Sequence, residues 1–237
     1  MKIAIVGYGK MGKAVERIAR ERGHSTEVVR YDGQLPPQAE NANCVIEFTH
    51  ASVAPEILRA CIDHSIPIVS GTTGWDDRLH MIIEYCNAKN GSMLWAPNFS
   101  IGMHIVFEMN KLLATIMDRR QEYDVHILEA HHTEKKDKPS GTAIKLANQI
   151  IDGLRRKSRW ILDENGNIAD DTLPVTAERV PDVKGIHRIT YRGPYDVISL
   201  RHKALSRDAF ALGAVLSAEW LAGKKGVYTF SDVLGIS

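Results

Sequence analysis

The sequence predicts an α/β protein, an N-terminal doubly wound parallel sheet followed by a second, α+β domain. Three observations predict it. Short apolar runs alternate with helical patterns over the first hundred residues, a glycine-rich turn follows the first of those runs, and the pattern changes character after residue 102.

The apolar runs are KIAIV (2–6), EVVRY (27–31), CVIEF (44–48), PIVS (67–70) and SMLWA (92–96). Runs of this kind suit strands covered by helices on both faces. Between them, MGKAVERIARER (11–22) and SVAPEILRACIDH (52–64) place apolar residues at helical spacing, and DDRLHMIIEYCNAK (76–89) does so less cleanly. Strands alternating with helices imply right-handed crossovers and therefore a parallel sheet.

After PNFSIG (97–102) a long helix is predicted over 102–119, where Ile105, Met109, Leu112 and Ile116 recur at steps of four, three and four. A strand at 124–130 follows, then a helix at 140–157 and a polar stretch of loop character at 163–185. Two further strands, HRITYR and DVISLRHKA, flank a GPYD turn as an antiparallel pair does. Such a sheet differs from the parallel one, so residues 100–209 are assigned to a second domain. Residues 1–99 and 210–237 form the first, because the last helix, DAFALGAVLSAEWLAG, is apolar enough to pack back on it.

Composition bounds the function. The 237 residues carry a formal charge of +1, which gives no global attraction to nucleic acid or to an anionic membrane, so any anion recognition is local. The apolar run Ile3–Val6 is too short for a signal peptide or a membrane span. Cys44, Cys61 and Cys86 show no paired spacing, and the first two lie in apolar surroundings typical of reduced core thiols. A cytoplasmic protein is expected.

VGYGKMG places Gly7, Gly9 and Gly12 in the G-x-G-x-x-G spacing, after a strand and at the start of a helix. In a Rossmann-like domain the first glycine allows the tight turn, the second lets the backbone approach a pyrophosphate, and the third permits close helix packing. The helix N-terminus adds N–H donors. A dinucleotide is thus the expected cofactor. Asp32, twenty residues past Gly12, suits the ribose 2′-hydroxyl of NAD, or is only a turn residue before Gly33; Arg30 and Lys10 offer cations to a 2′-phosphate. The sequence leaves NADH and NADPH both open. SGTTGW (70–75) and APNFS (96–100) also follow parallel strands, on the edge where ligands of such sheets bind.

The segment HHTEKKDKPSGT (131–142) concentrates proton donors and cations ahead of a helix. In an extended chain Glu129 and His131 share one face, with Ala130 and His132 on the other. One of the histidines suits a general acid, because imidazole exchanges protons near neutral pH. Lys135 and Lys136 add charge for an anionic substrate, although runs such as Lys136-Asp137-Lys138 are usually solvated surface. Ser140 is the expected N-cap, and the N–H groups of Gly141 and Thr142 form an anion-binding terminus. Glu129 and His131 could begin a metal site, but no other His or Cys pair has ligand spacing, so no metal is expected. LRRKSR (154–159) is read as a helix end whose cations offset the dipole.

EAHHTEKKDKPSGTA resembles the signature of the dihydrodipicolinate reductase family, E-A-H-H-x-x-K-x-D-x-P-S-G-T-A, at every fixed position. The similarity extends to VGYGKMG, GTTG, PNFSIG, GIH (185–187), HKALSRDAFALGA and GVYTFSDVLG, almost from end to end. The resemblance implies reduction of the cyclic dicarboxylate 4-hydroxy-tetrahydrodipicolinate with NADH or NADPH in the diaminopimelate and lysine pathway. It implies His131 as proton donor, Lys135 as the second catalytic or carboxylate-holding cation, and His132, Ser140, Gly141 and Thr142 at the substrate. Gly7, Tyr8, Gly9, Lys10, Met11 and Gly12, Gly71, Thr72 and Thr73, and Ala96, Pro97, Asn98 and Phe99 would hold the cofactor. It further implies a homotetramer formed through the substrate domain. Lys10 stands where many relatives have arginine, and Tyr31 where an acid is common, which bears on cofactor preference.

Overall fold

The computed structural model describes residues 1–34, 37–163, 166 and 168–236. Two compact units result, Met1–Ile101 with Arg207–Ser237, and Gly102–Ser206.

The first unit begins with β1 (Lys2–Val6), α1 (Lys10–Glu21), β2 (Ser25–Val29), α2 (Pro37–Glu40) and β3 (Cys44–Glu47). It continues with α3 (Ala54–Asp63), β4 (Ile68–Ser70), α4 (Asp76–Ala88) and β5 (Ser92–Trp95). In the second unit follow α5 (Ile101–Met117), β6 (Asp124–His131), α6 (Gly141–Gly153), β7 (Arg159–Leu162), β8 (Thr172–Arg179), β9 (Ile186–Arg192) and β10 (Val197–Lys203). The chain then completes the first unit with α7 (Asp208–Leu221), β11 (Gly226–Tyr228) and α8 (Phe230–Leu234).

The first sheet has the order β11-β5-β4-β3-β1-β2 and is parallel throughout. Alternate residues of its strands enter different cores. Ala4, Val45 and Ile68 pack with α3 and α4, while Ile3, Ile5, Ile46 and Leu94 pack with α1 and α7. Both faces are therefore covered, as the apolar runs require. The strand order reverses between β1 and β3, and at such a switch point the loops leave a crevice.

The second sheet, β10-β9-β6-β8-β7, is mixed. β9 and β10 form the expected antiparallel pair, with Val197 opposite Arg192. One face packs on α5 and α6 through Val125, Ile127, Leu173 and Tyr191. The opposite face carries His126, Arg188, Thr190 and Arg192 around a hollow of about 540 Å³.

Several expectations are corrected. β8 lies within the stretch read as loop: Leu173, Val175 and Ala177 alternate with Thr176 and Glu178, but Pro174, which has no N–H to give a ladder, interrupts the run. β11 and α8 are too short to show a period. The face of α5 that packs inward is Met103, Val106, Phe107, Ala114 and Met117. The stripe Ile105, Met109, Leu112 and Ile116 that predicts the helix is instead 49–63% exposed. A helix apolar on two sides shows the right period whichever side is counted.

The helix at 140 stops at Gly153 and not at 157. The cations beyond it take specific partners. Arg156 donates to the carbonyls of Met117 and Tyr123, and buried Lys157 donates to that of Asp170 and pairs with Asp124 at 2.7 Å.

Candidate active site

β1 ends at Val6, and Gly7 turns the chain with φ of +92°. A β-carbon on Gly7 would stand 2.1 Å from the Phe48 carbonyl oxygen, and one on Gly12 would stand 2.1 Å from the carbonyl oxygen of Gly7. The turn, the first turn of α1 and the end of β3 therefore lie in contact only because both residues lack side chains. Gly9 caps α1 with no side-chain hydrogen bond, and nothing lies within 4 Å of its would-be β-carbon. Open backbone and leading N–H groups suit a pyrophosphate. Gly12→Ala is expected to cost about 1–3 kcal/mol of stability by overpacking. Urea unfolding checks this: an unchanged midpoint would mean that α1 shifts freely.

The cleft before this turn measures about 460 Å³ and is lined by Gly9 to Met11, Phe48 to Ala51 and Gly71 to Thr73. Phe48, Thr49, His50 and Ala51 were missed in the sequence, although they too follow a parallel strand. Tyr8 is 45% exposed beside the turn, its hydroxyl donating to Glu16. Asp32 is exposed in the bend past β2 and is not among the residues lining the cleft.

Segment 96–99 divides. Ala96 and Phe99 are buried in the core beside α7. The Phe99 ring meets Phe48 and Phe230 at 6.1 and 5.3 Å, and a β-carbon on Gly213 would lie 1.9 Å from its carbonyl oxygen. Core packing thus occupies both side chains, so what this segment offers a ligand at Ala96 and Phe99 is backbone. Pro97 is exposed, and Asn98 Oδ1 accepts from the Ser100 N–H at 2.8 Å.

In the second unit the strand alternation turns Glu129 and His131 the same way at the end of β6. His131 Nδ1 lies 2.6 Å from Glu129 Oε2. Glu129 is fully buried, and its Oε1 accepts from the Ser140 N–H at 3.3 Å and from Arg179 Nη1 at 3.0 Å. Burial pushes this carboxyl up, yet His131, the Ser140 N–H and Arg179 outweigh it and hold the pKa down at about 2. An ionised carboxylate at Nδ1 favours a proton on that nitrogen and leaves Nε2 for exchange. A β-carbon on Gly185 would lie 3.3 Å from Nε2, so a glycine leaves room beside this nitrogen.

Arg179 also donates to the carbonyls of Lys135 and Asp137, so one guanidinium ties loop 132–138 to Glu129. Lys135 pairs with Asp137 at 2.7 Å and its side chain is 24% exposed, whereas Lys136 is exposed. His132 is half-buried, with Nδ1 3.9 Å from Glu134. Ser140 is the N-cap, as expected, and its Oγ accepts from the Ala143 N–H at 3.2 Å and contacts His187 Nε2 at 3.2 Å. Its hydroxyl is thereby turned inward, and the residue is buried. Gly141 is exposed at the first turn of α6, with nothing within 4 Å of its would-be β-carbon.

Arg179 and His187 were missed in the sequence. The first lies in the stretch read as loop, and the second reaches the site from β9, opposite Glu129 in the sheet. Glu129, His131 and His187 bring ligand atoms within 4.8 Å of one another, so the further histidine that a metal site lacked in the sequence exists in space. Arg179 already supplies the positive charge that Glu129 needs there.

Both halves of the chain match one family. Residues 1–99 match the description "Dihydrodipicolinate reductase, N-terminus", and residues 102–234 match "Dihydrodipicolinate reductase, C-terminus". The chain belongs to the dihydrodipicolinate reductase family. The 4-hydroxy-tetrahydrodipicolinate reductase of Christiangramia forsetii is 40% identical over 237 residues, covering 99% of this chain and 98% of the relative. That of Staphylococcus carnosus is 33% identical, covering 98% and 99%. The dipicolinate-bound dihydrodipicolinate reductase from Paenisporosarcina sp. TG-14 matches with a TM-score of 0.75 at 23% identity, over 98% of both chains, a likeness of fold.

The buried pair gives this dihydrodipicolinate reductase family member a pH-dependent stability. Burial, and next His131, push His187 down to about 3, and Glu129 offsets only part of this. The unfolded chain takes a proton on this imidazole as pH falls through about 6.5, the folded chain only near 3. The contribution is therefore complete above pH 6.5 and is lost progressively below it. Glu129 adds a loss of the same sign between its ordinary 4.5 and about 2. The urea midpoint is expected to fall steadily from pH 7 to pH 4, with a shallower slope in His187→Asn; equal slopes would refute the assignment to His187.

Proposed function

We propose that this chain reduces 4-hydroxy-tetrahydrodipicolinate to tetrahydrodipicolinate with NADH or NADPH, in diaminopimelate and lysine biosynthesis. The observation that carries it is His131 seated on an ionised Glu129, on the same short segment as Lys135 and the start of α6.

The first unit is the cofactor domain in this reading. Gly7, Gly9 and Gly12, with Tyr8, Lys10 and Met11, hold the pyrophosphate on the N-terminus of α1, and Gly71, Thr72 and Thr73 line the same cleft. The uncapped first turn and the space at Gly9 fit such a ligand. The segment Ala96, Pro97, Asn98 and Phe99 completes the cofactor loops, and Asp32 stands with Arg30 past β2, where the ribose is read. The bound nicotinamide supplies a hydride.

The second unit holds the ring. Loss of the 4-hydroxyl as water gives a conjugated imine, and hydride addition at one end leaves electron density at the other. His131 Nε2 delivers the proton there, while Glu129 stabilises the imidazolium that gives it. A ring with two carboxylates needs two anchors. Lys135 supplies one and the N–H groups of Gly141 and Thr142 the other, with His132 beside the ring and Ser140 holding the turn in place.

Incubating purified protein with enzymatically generated substrate and either cofactor tests the reading through the absorbance of the reduced nicotinamide. Oxidation of neither NADH nor NADPH would defeat it. A homotetramer joined through the second unit belongs to the same proposal. Its support is the half-exposed stripe on α5 and the uncovered sheet face. Light scattering that gives the mass of one chain would refute it. No described helix is long and apolar enough to cross a membrane, and the three cysteines are free and buried. A cytoplasmic location completes the proposal.

A further inference from the structure

Glu47 ends β3 with a carboxylate that is completely buried. Its Oε1 accepts from the Thr49 N–H at 2.6 Å, the Thr49 hydroxyl at 2.5 Å and the Thr72 hydroxyl at 2.6 Å, and its Oε2 accepts from the Ser70 hydroxyl at 2.6 Å. Its own carbonyl accepts from the Gly71 N–H at 3.0 Å. Thr49 lies on the loop after β3, and Ser70 and Thr72 lie at the end of β4 and on the loop beyond it. Thr49, Gly71 and Thr72 line the 460 Å³ cleft, whereas Glu47 and Ser70 do not.

The loop after β4 is gripped from its other side as well. The Thr72 carbonyl accepts from the indoles of Trp75 at 2.7 Å and Trp95 at 3.0 Å. Thr72 thus hangs between a carboxylate and two tryptophans. A buried carboxylate is costly unless fully hydrogen-bonded, and an apolar residue would fill the space more cheaply. What an apolar residue cannot do is hold three hydroxyl-bearing residues of two loops at one point.

We propose that Glu47 is a positioning residue for the dinucleotide, which fixes the loops after β3 and β4 in the geometry that binds the reduced cofactor. The assignment rests on the reading of this cleft as the cofactor site. Preorganised loops lose less freedom on binding, so Glu47 governs cofactor affinity and leaves the chemical step alone.

The test compares wild type with Glu47→Gln, Glu47→Leu and Ser70→Ala. Calorimetry gives the Kd of NADH and NADPH, steady-state assays with saturating cofactor give kcat, and thermal unfolding gives Tm. In Glu47→Leu the Kd of the preferred cofactor is expected to rise by at least about tenfold. In Glu47→Gln, which keeps the shape and an acceptor oxygen, it stays within about threefold. Ser70→Ala, which touches no ligand, falls between them. kcat at saturation stays near wild type in all three.

A fall in Tm with cofactor Kd unchanged in both Glu47→Leu and Ser70→Ala would overturn the assignment and leave Glu47 as packing only. If Glu47→Leu does not fold, an unchanged Kd in Ser70→Ala decides against it, and a raised one in its favour. Wild type that binds neither cofactor would instead overturn the reading of the cleft, and the role of Glu47 with it.

Discussion

His131→Gln is expected to lower kcat by at least about a hundredfold with a smaller change in KM. Glutamine retains a polar group of similar reach but has no proton to give near neutral pH, so it removes what acts in the transition state and keeps most of what holds the ground state. The geometry makes the expectation atom-specific. Nδ1 is engaged by Glu129 at 2.6 Å, which leaves Nε2 as the nitrogen expected to give the proton. A loss confined to KM would show that His131 only binds. The fully buried Glu129 is held ionised by His131, the Ser140 N–H and Arg179 together, so the imidazole faces a negative charge.

Lys135→Ala is expected to lower kcat and raise KM together, by about tenfold or more in kcat/KM, because a cation that holds a carboxylate of the substrate acts both before and in the transition state. Lys136→Ala, one residue on and exposed, is expected to stay within about twofold of wild type, as surface substitutions do. The two lysines were indistinguishable in the charge run. In the fold Lys135 pairs with Asp137, and the Lys135 carbonyl is held by Arg179. Steady-state kinetics of both variants decides: unaltered kinetics in Lys135→Ala with a loss in Lys136→Ala would exchange their roles.

The buried polar centres of the two units share a plan. Glu129 in the second unit and Glu47 in the first are each a fully buried carboxylate at the end of a strand, and each gathers donors from loops that follow. A carboxylate accepts several hydrogen bonds at once, so it ties separate segments together at a point. Neither residue stood out in the sequence as such a centre. Glu47 was part of the run CVIEF, and Glu129 was noted for sharing a face with His131 and as a possible metal ligand beside it.

The sequence by itself determined whatever depends on neighbours along the chain. The spacing of Gly7, Gly9 and Gly12 specified the turn and the start of α1, the short apolar runs alternating with helical patterns specified the parallel sheet, and Ser140 specified where α6 begins. These are properties of backbone conformation and of periods of two and 3.6 residues, which are local. Tertiary structure alone decided which distant groups meet. It brought Arg179 from β8 and His187 from β9 onto Glu129, drew Phe99 into the core, and turned inward a face of α5 other than the one its sequence displays. Those outcomes depend on which surfaces pack and which buried charges find partners, and no interval between residues in the chain encodes that.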